Sequence, residues 1–148
     1  MPENPDSFAE ARERVRTALA AMGSGQPVPY IDCWATSDDA TLFGAWGPIE
    51  KGYERLARTF RWVGGRFKKG ALVPEDVVSF ESGDLAYTVG FERGDVAVDD
   101  RTASPMVIRV THIYRRIEGK WCLIHRHADF PPPDERQAQS GPRTASRG

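Results

Sequence analysis

The sequence predicts an α+β fold in which a strongly curved, mainly antiparallel sheet wraps around N-terminal helices. Three observations support this prediction: helical periodicity is confined to residues 7–63, strand-like segments follow over residues 73–128, and short connections join the strands. Adjacent strands with short connections cannot form a parallel sheet. Because the helices cover one face of a curved sheet, a hollow remains at its open end, which is a natural place for a small ligand.

Two amphipathic helices and two short elements are predicted in the N-terminal half. Ser7 and Glu10 have the spacing of a capping box, and apolar residues recur at helical intervals after them. Residues 30–34 predict one or two helical turns, and residues 40–46 predict a short strand. The second helix fades at residues 64–65. Its apolar stripe consists of Tyr53, Leu56, Ala57, Phe60 and Val63.

The second half of the chain predicts four strands. Each segment is rich in β-branched and aromatic residues and is bounded by turn residues. The four segments are residues 73–81, 85–93, 106–116 and 121–128. The apolar pattern ends after Phe130, so we expect one domain over residues 7–130, a frayed N-terminus over residues 1–6 and a disordered tail over residues 131–148.

The pairing of the last two strands decides which face of the sheet each histidine occupies. A two-residue turn at residues 118–119 places His112 opposite His125. A three-residue loop with a glycine bulge shifts the pairing by one residue and places Arg126 beside His112 instead. The two-residue turn would gather on one face the side chains of His112, His125, His127, Tyr114 and Asp129.

Composition and charge argue against several classes of partner. A formal net charge of -1 over 148 residues gives no electrostatic reason to expect nucleic acid or an anionic membrane surface. No apolar run approaches the length of a bilayer span, and the first residues lack the pattern of a signal peptide, so we expect a cytoplasmic location. Cys33 and Cys122 are interpreted as small side chains without a chemical role.

Several segments together resemble the nuclear transport factor 2-like superfamily and, within it, the SnoaL-like or ketosteroid-isomerase-like proteins. The resemblance covers roughly residues 7–129, and Gly52, which opens a helix, adds to it. It implies a cone-shaped α+β barrel with a deep pocket between the sheet and the helices, and frequently a homodimer. The fold hosts many reactions and does not imply one. The segments are DDATLFGAWG at 38–47, GDLAYTVGFER at 83–93, RVTH at 109–112, GKW at 119–121 and HRHAD at 125–129.

Two departures from related families narrow the chemistry. In ketosteroid isomerases, a segment similar to residues 39–44 carries the general-base aspartate at its last position, where this chain has Gly44. The last two strands also resemble the association domain of calcium/calmodulin-dependent kinase. His112 and Ala128 replace arginines that line the pocket of that domain. The sequence therefore argues against a steroid isomerase mechanism and against a strongly anion-binding pocket.

His112 is the first choice for a catalytic residue. It follows Ile108 and Val110 on the more apolar face of its strand, so we expect it to point inward as a candidate acid or base. The competing interpretation is a core histidine that is hydrogen-bonded to its neighbours. The second choice is His127 with Asp129, since a carboxylate fixes the tautomer of a neighbouring histidine. A zinc site formed by the three histidines is less favoured, and we expect no metal and no other cofactor.

Aromatic side chains are expected to line the pocket. Several carry polar tips, which suits an apolar cavity with few hydrogen-bond donors. Such a lining fits an apolar or aromatic small molecule, and the resemblance to SnoaL-like proteins implies an apolar or polyketide-like ligand. Glu92 and Arg93 end a strand near the expected rim, where a solvated ion pair is the commoner arrangement. The expected lining residues are Tyr30, Trp34, Trp46, Tyr87 and Tyr114.

The leading functional hypothesis is a SnoaL-like enzyme of isomerase, cyclase, dehydratase or hydrolase type that uses general acid/base catalysis without a cofactor. The alternative is a non-catalytic ligand-binding or oligomerisation module. An enzyme needs His112 within hydrogen-bond reach of a carboxylate, another histidine or a tyrosine, in a cavity open to substrate. A pocket filled by Trp34, Trp46 and Tyr87 favours the module. The resemblance also leads us to expect a homodimer through the outer face of the sheet.

Overall fold

Three helices and seven strands make up residues 6–132, the part of the chain that the computed structural model describes. Residues 1–5 of the predicted frayed N-terminus and residues 133–148 of the predicted tail lie outside it. The helices are α1 (Phe8–Gly23), α2 (Val28–Ile31) and α3 (Tyr53–Arg66). The strands are β1 (Thr41–Phe43), β2 (Ile49–Lys51), β3 (Phe67–Gly70), β4 (Val73–Ser82), β5 (Leu85–Val98), β6 (Ser104–Ile117) and β7 (Lys120–Asp129).

Helices α1 and α3 begin where the sequence indicates, α2 begins two residues before the predicted turns and ends at Ile31, and α3 continues beyond its predicted end. Ser7 accepts a hydrogen bond from the backbone N–H of Glu10, whose side chain accepts one from the backbone N–H of Ser7, so the predicted capping box is present. Helix α3 passes through Gly64 and ends at Arg66; the glycine allows close packing against Pro27, where an added Cβ would lie 2.7 Å from the proline Cβ. None of the described helices is long and apolar enough to cross a membrane.

The sheet is strongly curved and mainly antiparallel, which confirms the predicted α+β fold class. Its strand order is β2-β1-β7-β6-β5-β3, and β4 also pairs with β5. The pairing of β1 with β7 is parallel, and the other pairings are antiparallel. Strands β2 and β3 were not predicted, because segments of three and four residues are too short for a clear alternation. The apolar core lies between the helices and the inner face of the sheet.

The turn between β6 and β7 has two residues, as one of the two predicted arrangements requires. His112 nevertheless lies beside Arg126, which is the pairing predicted for a three-residue loop with a bulge. Glu118 and Gly119 both have positive φ angles, and Ile117 pairs with Lys120. The register then shifts in β7, where Ile124 is an extra residue between two successive pairs. Beyond this bulge, His112 pairs with Arg126. The bulge therefore turns Arg126 inward and places His125, His127 and Asp129 on the outer face.

Strand β5 directs its more apolar side chains outward. Tyr87 and Val89 lie on the outer face and are 39% and 38% exposed, whereas Thr88 and Glu92 point inward and are buried. The outward residues continue onto β4, where Val78 pairs with Val89 and Phe80 pairs with Tyr87. An exposed apolar surface therefore covers the outside of β4 and β5. We call this surface the outer apolar face; its members are Val78, Phe80, Leu85, Tyr87 and Val89.

Candidate functional site

A narrow pocket, here called the main pocket, lies between the helices, the β1–β2 turn and the inner face of the sheet. Its volume is about 60 Å³. Leu19, Met22, Leu42, Phe60, Phe67 and Ile108 contribute to its apolar walls. Tyr30 from α2, Glu92 from β5 and Arg126 from β7 bring polar groups to these walls, as do Trp46 and Thr59, whose hydroxyl donates to Glu50. The pocket thus combines an apolar body with a few polar groups, which is the usual composition of a small-molecule site.

Glu92 and Arg126 form a buried, two-pronged ion pair in this wall. Nη1 of Arg126 lies 2.6 Å from Oε2 of Glu92, and Nη2 lies 2.9 Å from Oε1. Burial disfavours the Arg126 cation, but the adjacent Glu92 carboxylate more than offsets this and raises the pKa of Arg126 above its ordinary value. Paired charges with two good hydrogen bonds are the form in which a buried cation and anion are tolerated.

Tyr30 and His112 form the second polar contact at the pocket. The hydroxyl of Tyr30 lies 2.6 Å from Nε2 of His112, and both side chains are buried. Burial raises the pKa of Tyr30, so the phenol is protonated at neutral pH. Burial, with a contribution from the Arg126 cation, lowers the pKa of His112 well below its ordinary value, so this imidazole is neutral.

The hydrogen-bond network assigns the tautomer of His112. Nη1 of Arg126 lies 3.3 Å from Nε2 of His112 and also donates to the hydroxyl of Tyr30 at 3.4 Å. A guanidinium only donates hydrogen bonds, so a lone pair on Nε2 suits Arg126 and leaves Tyr30 to donate its own proton to the same nitrogen. The neutral imidazole therefore carries its proton on Nδ1.

A second cavity lies on the α1 side of His112 and is here called the rear cavity. Its volume is about 180 Å³, and His112, Tyr114 and Thr88 line it. Arg12 and Asp76 also line it and form an ion pair of 2.8 Å. His112 does not line the main pocket, so it stands behind Tyr30 and between the two spaces.

The structure separates His127 and Asp129 from His112. Asp129 binds Arg109 on the outer face, with two N–O distances of 2.7 and 2.8 Å, and the ring of His127 lies 5.3 Å from that of Phe43. Of the two registers left open by the sequence, the one that gathers all these residues on one face does not occur, because the bulge in β7 reverses the faces of His125, His127 and Asp129. Within residues 6–132, no group of three His, Cys, Asp or Glu side chains is arranged to hold a metal ion.

The five aromatic residues expected in the pocket lie in four different surroundings. Tyr30 and Trp46 line the main pocket, whereas Tyr114 lines the rear cavity. Trp34 is buried against Tyr30 and does not line either space, and its indole N–H has no hydrogen-bond partner among the described residues. Tyr87 lies on the outer apolar face, since the apolar residues of β5 point away from the helices.

Glu92 and Arg126 were not among the predicted pocket residues, although one of the two registers left open for the last two strands places Arg126 beside His112. Glu92 was interpreted as part of a solvated pair with Arg93, but its side chain is only 2% exposed, and Arg93 contacts Glu75 instead. The alternation of side chains along a strand could have located Glu92. It lies an even number of residues from Ala86 and Thr88, which point inward on β5, so it belongs to the same face. For Arg126 the sequence left two registers open, and the position of the bulge that decides between them cannot be deduced from the composition of β7.

Comparisons with known proteins agree with this architecture. A family model described as a SnoaL-like domain matches residues 12–133. No curated protein matches the chain. A candidate calcium/calmodulin-dependent protein kinase type II association domain from Thiobacillus denitrificans superposes with a TM-score of 0.71 at 20% identity, and the match covers 89% of this chain and 100% of that chain.

Two further solved structures share the fold. A candidate dehydratase of the NTF2-like family from Streptomyces avermitilis has a TM-score of 0.70 at 17% identity, covering 84% of this chain and 93% of that chain. An NTF2-like protein of unknown function from Pseudomonas putida has a TM-score of 0.65 at 26% identity, covering 88% of each chain. The family match over most of the sequence and the agreement in architecture lead to one conclusion: the chain belongs to the SnoaL-like domain family.

Proposed function

We propose that this SnoaL-like domain is a cofactor-independent enzyme that uses general acid/base catalysis on a small, apolar molecule bound in the main pocket. The observation that carries the proposal is the contact of 2.6 Å between the hydroxyl of Tyr30 and Nε2 of His112. Tyr30 lines the main pocket, and His112 lies behind it as a neutral acceptor. This arrangement suits a base that acts through a tyrosine.

The proton movements balance within the pair. The oxygen of Tyr30 takes a proton from the substrate while the phenolic proton moves to Nε2 of His112. The products of this step are a substrate anion, a neutral tyrosine and an imidazolium. Return of the proton through Tyr30 to a different carbon completes an isomerisation, and its return to a departing hydroxyl releases water. Both reaction types lie within the range that the SnoaL-like fold hosts.

Arg126 contributes to this chemistry through its charge. Its Nη1 donates to the Tyr30 oxygen at 3.4 Å, so this local N–H stabilises the partial negative charge on that oxygen during the transfer, although Glu92 cancels the net charge of Arg126. The same cation lies 3.3 Å from Nε2 of His112 and destabilises an imidazolium there. A proton on His112 is therefore returned readily, which suits a catalyst that must hand the proton back to its product.

Solvent hydrogen exchange into simple carbonyl compounds tests the proposal. The protein is incubated in D₂O with a panel of small uncharged ketones and β-hydroxy ketones, and proton NMR follows α-deuteration and loss of water. We expect acceleration by the wild type and loss of the acceleration in Tyr30→Phe and His112→Gln. Tyr87→Phe and His127→Gln make the same chemical changes on the outer face and should retain the wild-type rate.

The same experiment distinguishes the enzyme from the non-catalytic module. Binding of panel compounds without exchange or water loss, unchanged in Tyr30→Phe, would favour a ligand-binding module over the enzyme. The narrow volume of the main pocket favours compact panel members, because a bulky ligand would have to displace the side chains that form the walls.

We also propose that two copies of the domain pair through the outer apolar face. Phe80 and Leu85 are 54% and 52% exposed, and their neighbours Val78, Tyr87 and Val89 extend the same surface. A contiguous apolar surface of this kind marks an interface more often than a solvated sheet. The self-complementary contact expected for a twofold dimer would cover the side chains that β4 and β5 direct away from the helices.

A further inference from the structure

We infer that the main pocket selects an uncharged molecule with a polar oxygen, and that Glu92 is the specificity-determining residue because it cancels the charge of Arg126. The inference rests on the proposed function, since it names the substrate class of the same site. Without Glu92, a buried arginine in an apolar pocket would be a ready site for carboxylates or phosphates. With Glu92, the pocket offers a dipole and no net charge.

The geometry of the ion pair supports this selectivity. Both terminal nitrogens of Arg126 already bind the two carboxylate oxygens of Glu92, at 2.6 and 2.9 Å. The two-pronged face that would grip a ligand carboxylate is therefore occupied. The second N–H of Nη1 points toward Tyr30 and His112, at 3.4 and 3.3 Å. A ligand in the main pocket can therefore form single hydrogen bonds to this wall, but it cannot form a two-pronged ion pair with Arg126.

Other charged residues do not give the main pocket a net charge. Among the described residues that line the main pocket, Glu92 and Arg126 are the only ones with a formal charge at neutral pH. His112, directly behind, is neutral because burial lowers its pKa. Near the pocket, Arg66 stacks over the ring of Trp46 at 4.1 Å and is itself paired with Asp99 at 2.9 Å. An entering anion would lose its hydration without meeting a net positive charge.

Matched pairs of ligands test the inference directly. Isobutyramide and benzamide have the shapes of isobutyrate and benzoate but carry no charge. Dissociation constants are measured at pH 8 from ligand-observed NMR and from the intrinsic tryptophan fluorescence, to which Trp46 in the pocket wall contributes. We expect wild type to bind each amide at least about tenfold more tightly than its carboxylate, because the anion is desolvated without compensation.

Two variants locate the selectivity in Glu92. Glu92→Gln keeps a hydrogen-bonding partner of the same size but leaves Arg126 uncompensated, so we expect the preference to reverse in favour of the carboxylates. The double variant Glu92→Gln with Arg126→Gln restores neutrality, and we expect it to retain the preference for amides. The double variant separates the effect of charge from the effect of altered shape.

Each outcome decides between the alternatives. Equal binding of amide and carboxylate by wild type, or a preference for the carboxylate, would overturn the inference and leave the Tyr30–His112 relay untouched. Binding of neither ligand would overturn the main pocket as a ligand site, and the proposed function with it. If Glu92→Gln folds and still prefers the amides, Glu92 is not the determinant. If that variant does not fold, the wild-type comparison decides the charge preference alone.

Discussion

The hydroxyl of Tyr30 lies 2.6 Å from Nε2 of His112, although 82 residues separate them along the chain. Helix α2 holds the tyrosine and strand β6 holds the histidine, so the contact exists only when the helices are packed against the sheet. The pair also lies between the main pocket and the rear cavity. It therefore links the packing of the domain to the chemistry that we propose for it.

We expect the two side chains to be energetically coupled. His112→Phe keeps a ring of similar size but leaves the Tyr30 hydroxyl without its acceptor, which costs about 1–3 kcal/mol of unfolding free energy. Tyr30→Phe removes the donor, so the double variant no longer contains an unsatisfied phenol, although the N–H of Arg126 that points at the pair loses both acceptors. A double-mutant cycle by urea denaturation should show a coupling of about 0.5–3 kcal/mol. Strictly additive effects would show that the contact contributes nothing to stability.

The stability of the protein should fall in mild acid because of His112. Its pKa is lowered in the folded state from the ordinary value of 6.5, so between the two pKa values the unfolded chain binds a proton that the folded chain does not. Stability therefore falls as the pH drops below about 6.5, by up to about 1.4 kcal/mol per pH unit from this group. Urea denaturation at pH 8, 6.5 and 5 measures the effect.

His112→Gln provides the matched comparison for the pH effect. The carboxylates with lowered pKa values, such as Asp6 and Asp129, are ionised in both states over this range, and His125 is present in both proteins. The variant should therefore lose the His112 component of the slope. An equal loss of stability in wild type and variant between pH 6.5 and 5 would contradict a buried, neutral His112.

Removing one partner of the buried Glu92–Arg126 ion pair should destabilise the protein more than removing both. Arg126→Met leaves the Glu92 carboxylate buried without its partner, and we expect a loss of about 3–5 kcal/mol of unfolding free energy. Glu92→Leu with Arg126→Met removes both charges and should recover a large part of that loss. A double variant that is no more stable than Arg126→Met would show that packing, not charge compensation, determines the cost.

The local patterns of the sequence predicted the elements, but not which face of each strand would be inside. The capping box, the stripe of α3 and the turn at Glu118 and Gly119 are local signals, and the structure contains all of them. The pairing of His112 with Arg126 depends on one extra residue at Ile124. Nothing in the composition of β7 marks that position, because a bulge is chosen by how the curved sheet closes.

Strand β5 shows why the expectation that the aromatic residues line the pocket misplaced Tyr87. The rule that apolar residues face the core assumes that the other face meets water, and here the apolar side of β5 is the outer one. The polar residues Thr88 and Glu92 point inward, and the partner of Glu92, Arg126, lies on β7. Such partners are distant in sequence, so Glu92 could not be matched with Arg126 before the fold was known.

The outer apolar face should mediate a concentration-dependent dimer. Val89→Glu places a charge within this face, opposite Val78 on the neighbouring strand, and we expect it to shift the dimer toward monomer. Val28→Glu makes the same change at an exposed position of α2, outside this face, and should leave the association unchanged. Light scattering and sedimentation at increasing concentration measure the effect. A wild type that stays monomeric throughout would contradict the proposed interface.

The protonation state of His112 in the resting protein can be read directly by long-range ¹H–¹⁵N NMR of the histidine side chains at pH 7. Tyr30→Phe and His112→Gln identify the signals of the pair. We predict a neutral imidazole with its proton on Nδ1 and an unprotonated Nε2 whose ¹⁵N shift changes when Tyr30 is replaced by phenylalanine. A charged imidazolium, or a proton on Nε2, would contradict His112 as the acceptor of the Tyr30 proton.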